Sequence, residues 1–193
     1  MTSNIRIQLT PPGSRSIALV WALVALGAVL ASLASLSVEH QDEQPHYLVL
    51  PWLGGPTEPR VLLAFACIWV GLGVLGYLLT RLMRRQRVEL QSAALAVTSS
   101  LYRCRIEAAE LDLARARVVD LDEHTGLKPV LKRNGMSVPG YRSGWFSLRN
   151  RRRCFVATSD STRLLWLPGR GRHDLLLDVA DPNALLGRLR DPA

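Results

Sequence analysis

Between Lys132 and Arg153 the chain reads KRNGMSVPGYRSGWFSLRNRRR, with three glycines and seven cations. Residues of these types can grip phosphate, because glycine lets backbone N–H groups approach an anion and Lys or Arg neutralises it. The spacing does not complete a known grip. Gly135, Gly140 and Gly144 lack the intervals and the Lys-Ser/Thr pair of a nucleotide phosphate loop, and no dinucleotide fingerprint is present. Asn134-Gly135 and Pro139-Gly140 instead predict turns. The span from Asp122 to Gly144 is therefore expected to be a long connection, with Tyr141, Trp145 and Phe146 as its packing side chains.

Side-chain catalysis needs a nucleophile beside a base, paired carboxylates or a metal cluster. His124 and His173 sit in turn-like, charged surroundings, and Ser159-Asp160-Ser161 reads as a hairpin turn. Asp120, Asp122 and Glu123 read as a solvated strand end. Cys67, Cys104 and Cys154 form no metal pattern and read as small packing residues. His40 and His46, near Asp42 and Glu43, lie in a proline-interrupted loop without recognised ligand spacing. No cofactor or metal site is expected, and the chain reads as non-enzymatic. What remains is charge: Lys128, Lys132, Arg133, Arg142, Arg149, Arg151, Arg152 and Arg153 form either a solvated basic face or a surface for anionic headgroups or a protein partner.

The elements that carry these residues begin with two apolar runs, Ile17 to Val38 and Val61 to Met83, the first uncharged and the second with only Arg81. Each is long enough to cross a hydrocarbon core, which takes about 20 helical residues. Ser32 to Ser35, SLAS, resembles a cleavage site, but the run exceeds the roughly 7–15 apolar residues of a secretory signal, so it is read as a span. The connector carries Glu39, Asp42, Glu43 and Glu58 against Arg60, whereas Arg81, Arg84, Arg85 and Arg87 crowd the exit of the second run. Retention of cations on the cytoplasmic side places both termini in the cytoplasm and the connector outside, with Tyr47 and Trp52 at the outer interface. From Arg81 onward, 21 Lys and Arg face 12 Asp and Glu, a balance of +9 that suits an anionic leaflet. Motifs for reading nucleic acid are absent, so no nucleic-acid partner is expected. Gly27, Ala31 and Ser35, with Cys67 and Gly71, supply small residues for packing between helices or for dimerisation.

The expected plan is a cytoplasmic tail over 1–16, a transmembrane hairpin over 17–87 with connector 39–60, and a cytoplasmic domain over 88–193. Tyr102, Cys104 and Ile106 alternate with Arg103, Arg105 and Glu107, which predicts a half-buried strand. Ala116 to Leu121, Cys154 to Thr158, Leu164 to Leu167 and Leu175 to Val179 read as further strands, and Leu90 to Thr98 fits strand or helix. Asp181-Pro182 opens a short helix with Leu185, Leu186 and Leu189 on one stripe.

Taken together, KRNGMSVPGYRSGWFSLRN, RCFVATSD, RLLWLP, DLLLDVADPNALLGRLR and the upstream RVVDL resemble the bacterial pleckstrin-homology-like domains, in the kind preceded by a transmembrane hairpin. The resemblance covers about the last half of the chain. It implies an α+β membrane protein in which the hairpin precedes a β barrel or sandwich of about seven strands, plugged by a C-terminal capping helix. It also implies binding or assembly without catalysis. Basic residues around the first strand pair hold phosphoinositides in eukaryotic members; here the matching turn, Thr98-Ser99-Ser100, is uncharged, although Arg103 and Arg105 follow. The expected function is presentation of this domain for protein interaction or homo-oligomerisation, with anionic lipid contact. The alternative is an accessory subunit of a membrane enzyme or transporter, bound through the hairpin.

Overall fold

A computed structural model describes residues 5–7, 9–38, 59–91, 94–171 and 173–190. The acidic connector, with Tyr47, Trp52, His40 and His46, lies outside these residues. Two α-helices follow from the apolar runs: α1, Ser14–Val38, and α2, Pro59–Met83, each of 25 residues. Pro59 fits the first position of α2, where its missing N–H has no helical partner to lose. Both helices contain a stretch long and apolar enough to cross a membrane, Ser14–Leu33 and Leu63–Met83. Their large apolar side chains, among them Leu23, Leu26, Leu30, Leu63 and Val70, are exposed.

In the helical unit, residues 18–80, the side chains of Val24 and Trp21 pack onto Gly76, where an added Cβ would stand 3.2 Å from Val24 and 3.3 Å from Trp21. The predicted small-residue positions are placed differently. Gly27 and Gly71 have open space where a side chain would be, and Cys67 is exposed. Ala31 is half-buried, and the side chain of Ser35 lies outside the described residues.

The remaining residues form two sheets. In the first, β1 (Ile5–Ile7), β2 (Gln86–Gln91), β3 (Ala94–Ser99) and β4 (Tyr102–Glu107) lie side by side, all antiparallel. The predicted N-terminal tail is thus part of the same compact unit as the sheets, because β1 supplies an edge strand. The second sheet contains β5 (Arg117–Asp120), β6 (Pro129–Val138), β7 (Tyr141–Leu148), β8 (Arg153–Ser159), β9 (Arg163–Leu167) and β10 (His173–Leu177), in the order β5-β9-β10-β8-β7-β6. Strand β10 inserts between β9 and β8 and runs parallel to β8. The described residues therefore hold ten strands, against the seven or so that the resemblance implies.

The central strands explain this order. Phe155 and Ala157 of β8, Leu165 and Leu167 of β9, and Leu175 and Leu177 of β10 enter one core, shared with Val88, Leu95, Val97, Cys104 and Ile106 of the first sheet. Their neighbours Cys154, Val156, Leu164, Trp166 and Leu176 enter a second core on the opposite face, with Phe146, Leu148 and Leu127. Strands buried on both faces must be apolar throughout, which is why FVA, LLWL and LLL show no alternation. Helix α3, Pro182–Arg190, covers the first core with Leu185, Leu186 and Leu189. Its N-cap is Asp181, whose Oδ1 accepts the Ala184 N–H at 2.9 Å.

Two sequence expectations are corrected. The span from Asp122 to Gly144 is no structureless connection: it contains β6, hairpin-paired with β7 through a two-residue turn at Pro139-Gly140. Gly140 has φ +75°, as that turn requires. Asn134-Gly135 lies inside β6, next to a bulge between Lys132 and Asn134, and Gly135 faces Gly144 across the pair. A Cβ on Gly144, whose φ is +114°, would stand 2.6 Å from the Asn134 carbonyl oxygen. These glycines permit close backbone approach within a ladder. Secondly, Ser159-Asp160-Ser161 closes no hairpin, because β8 and β9 are separated by β10. The segment crosses two interstrand spacings, about 10 Å.

The end of β10 is fastened by Asp178. Its Oδ1 accepts the Thr10 hydroxyl at 2.7 Å and its Oδ2 accepts the Ser159 N–H at 3.1 Å. Burial raises its pKa above the ordinary 3.8 against the pull of these two bonds. The folded state therefore holds this proton more readily than the unfolded chain. The contribution of Asp178 to stability is full at pH below about 3.8 and is lost as pH rises through the raised folded value. Asp178→Asn can keep both contacts, accepting from Ser159 and donating to Thr10. Its stability relative to the parent should rise with pH across that window, whereas Asp178→Ala should cost about 1–3 kcal/mol by orphaning the Ser159 N–H. Thermal unfolding of the detergent-solubilised chain from pH 4 to 8 measures both; a constant difference between parent and Asp178→Asn contradicts this account.

Candidate functional site

The eight cations singled out from the sequence do not share one surface. Lys128 pairs with Asp122 at 2.9 Å. Arg142 lines a cleft with Lys128, Asp122 and Asp160 at the Pro139-Gly140 end of the sheet. Arg133 donates from Nε to Ser147 Oγ at 2.7 Å and borders a small hollow with Arg153, Trp145 and Phe146. Lys132 is exposed on β6, and Arg149 and Arg151 are exposed in the turn between β7 and β8, where Arg151 has φ +67°.

Arg152 has a structural partner that sequence reading missed. Asp174, which is 0% exposed, accepts Arg152 Nε at 3.1 Å, and Arg152 Nη2 lies 2.8 Å from the same oxygen. The carboxylate also receives the Gly169 N–H at 3.1 Å and, on its other oxygen, Trp166 Nε1–H at 3.2 Å. A fully buried carboxylate without such donors would be prohibitive. The run DLLLD gives no sign that its first Asp is inside, because Arg152 is contributed by a turn 22 residues earlier.

A different group of cations does converge. Arg81, Arg84, Arg85, Arg87, Arg103 and Arg105 line one cleft of about 980 Å³, with Glu89 as its only carboxylate. Strand register builds it. Arg87 stands opposite Thr98, which stands opposite Arg103, and Glu89, Ala96 and Arg105 form the next row. Val88, Val97 and Cys104 alternate with these rows and enter the core, so period two sends the arginines outward.

The β3–β4 turn is fixed beside the end of α2. Ser100, at φ +55°, donates its N–H to the Arg85 carbonyl at 2.8 Å, and its Oγ lies 2.5 Å from Tyr141 Oη. Tyr141 Oη in turn donates to the Met83 carbonyl at 3.3 Å, and Ser143 Oγ to Ser99 O at 2.9 Å. Next to this polar joint, Leu101 is 71% exposed at the tip of the turn. The arrangement offers a planar-donor surface for phosphate oxygens with an apolar tip beside it.

No such convergence surrounds the sulfur atoms. Cys104 Sγ lies 3.7 Å from His173 Nε2, and His173 stacks edge-on with Trp145 at 5.1 Å. His173 is therefore the first residue of β10 in an aromatic contact, where the sequence suggested a charged turn. Burial pushes the Cys104 thiol up to about 12 and also raises Cys154 well above its ordinary value, with Asp174 adding to the second shift. Both are neutral thiols near pH 7, the wrong form for a nucleophile. His124 places Nδ1 3.2 Å from the Asp120 carbonyl. Among the described residues no three His, Cys, Asp or Glu side chains cluster as metal ligands.

No protein-family model, curated protein or solved structure matches this chain.

The Arg152 geometry separates it from its neighbours. Arg152→Ala should cost about 1.5–3 kcal/mol, the scale of hydrogen bonds to a charged group, whereas Arg151→Ser and Arg153→Ser should stay within about 0.5 kcal/mol. Thermal unfolding of the three variants decides it, and equal stabilities would show that Arg152 is one more solvated cation.

Proposed function

We propose that the chain is a non-enzymatic module of a bacterial inner membrane, in which the helical hairpin presents a cytoplasmic pleckstrin-homology-like domain for protein assembly and for contact with anionic headgroups. Two sheets closed by α3 support the family reading. The observation that carries the lipid contact is the arginine cleft opening within two residues of the end of α2. Each cation near an anionic leaflet contributes on the order of 1 kcal/mol, and a tethered surface meets that leaflet at high effective concentration. Leu101 lines the same cleft and adds exposed apolar area beside the arginines. Edge strand β6, with Val130 and Leu131 exposed, supplies a surface for strand addition by a partner or a second copy.

A second reading, an accessory subunit bound through the hairpin, draws on the open space at Gly27 and Gly71, where another helix can approach closely. Exchange of residues 18–80 for an unrelated hairpin separates the two: a partner still crosslinked in native membranes belongs to the β-rich unit, and a lost partner to the hairpin.

Lipid contact is tested with Leu101→Cys in a Cys67→Ser background, carrying an environment-sensitive fluorophore, with the full chain in lipid nanodiscs. Phosphatidylglycerol discs should blue-shift the label relative to phosphatidylcholine discs, and Arg103→Gln with Arg105→Gln should remove most of the shift. Identical emission in both lipids would sink the lipid reading.

A further inference from the structure

A second cleft, of about 540 Å³, lies elsewhere in the same unit, lined by Arg115, Arg117, Arg152, Arg170, Asn150 and His124, with Trp166 and Asp112 among the remaining residues. We propose that it binds a ligand bearing a phosphate dianion, a role independent of the cleft at the end of α2.

Three features support this. First, three of the four arginines, Arg115, Arg117 and Arg170, lack a carboxylate partner within ion-pairing distance among the described residues. Arg115 and Arg117 place their guanidinium carbons 5.7 and 5.8 Å from the centroid of the same Trp166 ring. Two like charges over one ring repel each other, and an anion between them removes that repulsion. Secondly, Arg152 is pre-organised. Its Nε and Nη2 are committed to Asp174 and to the Gly169 carbonyl, at 2.8 Å for the latter, while Nη1 has no partner among the described residues. A guanidinium locked by one edge presents the other without loss of side-chain entropy. Thirdly, the charge balance suits a dianion. The four arginines, offset by Asp112 and by the buried Asp174 behind Arg152, leave +2 before any contribution from His124. Asn150 completes the set: its Oδ1 accepts the Arg152 N–H at 3.0 Å, leaving its amide N–H₂ for a ligand oxygen.

The volume exceeds that of a phosphate group, so the cleft has room for a further body on the ligand. Asp112 disfavours further negative charge on that part. Phosphate monoester chemistry is shared by a soluble metabolite and by a lipid headgroup.

The test uses the full chain in phosphatidylcholine nanodiscs, titrated with pyrophosphate by calorimetry. Saturable binding is expected, weakened at least about tenfold by Arg115→Gln with Arg117→Gln and again by Arg170→Gln, since each charge-assisted bond lost is worth a tenfold factor or more. These side chains are exposed, and unliganded unfolding temperatures within about 3 °C of the parent verify the fold. Arg103→Gln with Arg105→Gln, which alters only the cleft at the end of α2, should keep the saturable binding that the Arg115 and Arg117 substitutions weaken. Failure of pyrophosphate to bind overturns the proposal, as does undiminished binding by the cleft variants or an equal loss in the Arg103 and Arg105 variant. None of these outcomes bears on the lipid contact of Leu101. The source is read from discs of equal charge containing phosphatidic acid or phosphatidylglycerol. A pyrophosphate affinity lowered only by phosphatidic acid assigns the cleft to a headgroup, and an unchanged one to a soluble phosphate.

Discussion

Three neighbouring strands that are apolar on both faces demand cover on both sides, and the rest of the β-rich unit answers that demand. Strands β8, β9 and β10 bury Phe155, Leu165 and Leu175 towards one core and Val156, Trp166 and Leu176 towards the other. Full burial of such side chains stabilises by about 1.5–3 kcal/mol each, so neither face can remain in water. On one side the first sheet and α3 supply the cover. On the other, Phe146, Leu148 and Leu127 do so. Strand β10, with Leu175, Leu176 and Leu177 fully buried, lies between β9 and β8, where both of its edges are also satisfied.

That burial creates polar obligations, and the places where they are met coincide with the candidate sites. Asp174 sits between apolar strands and needs Arg152, Trp166 and Gly169 as donors; the same arginine thereby becomes a rigid wall of the second cleft. The last turn of α2 ends beside Tyr141, whose hydroxyl links the Met83 carbonyl to Ser100. This fixes the β3–β4 turn next to Arg84 and Arg85, so that arginines from two distant stretches line one cleft. At the other helix, Ser16 donates to the Pro139 carbonyl at 3.0 Å and is fully buried.

Arginine illustrates how residue type alone leaves function undecided. Arg152 neutralises a buried carboxylate, Arg133 caps a serine hydroxyl, Arg115 and Arg117 both lie against the Trp166 indole, and Arg103 and Arg105 line a cleft rich in like charge. The side chain is the same in each case. The neighbour decides whether its charge is already satisfied or still available for an anion.

Much of the architecture is legible in local pattern. The two apolar runs specify α1 and α2, the alternation from Tyr102 to Glu107 specifies β4, and Asp181-Pro182 with its leucine stripe specifies α3. Each signal concerns which side of one element avoids water, and nearest neighbours along the chain carry that information. Strand β6 escaped because an exposed edge strand has no buried face to impose alternation, and Asn134-Gly135 looked like a turn. The order β9-β10-β8, the pairing of Gly135 with Gly144, and the union of Arg81 to Arg87 with Arg103 and Arg105 could not be read locally. They depend on which strands pair and in which register, which the local pattern of one element does not carry. Sequence periodicity determined the elements and their wet and dry sides; only tertiary packing decided which charges would meet.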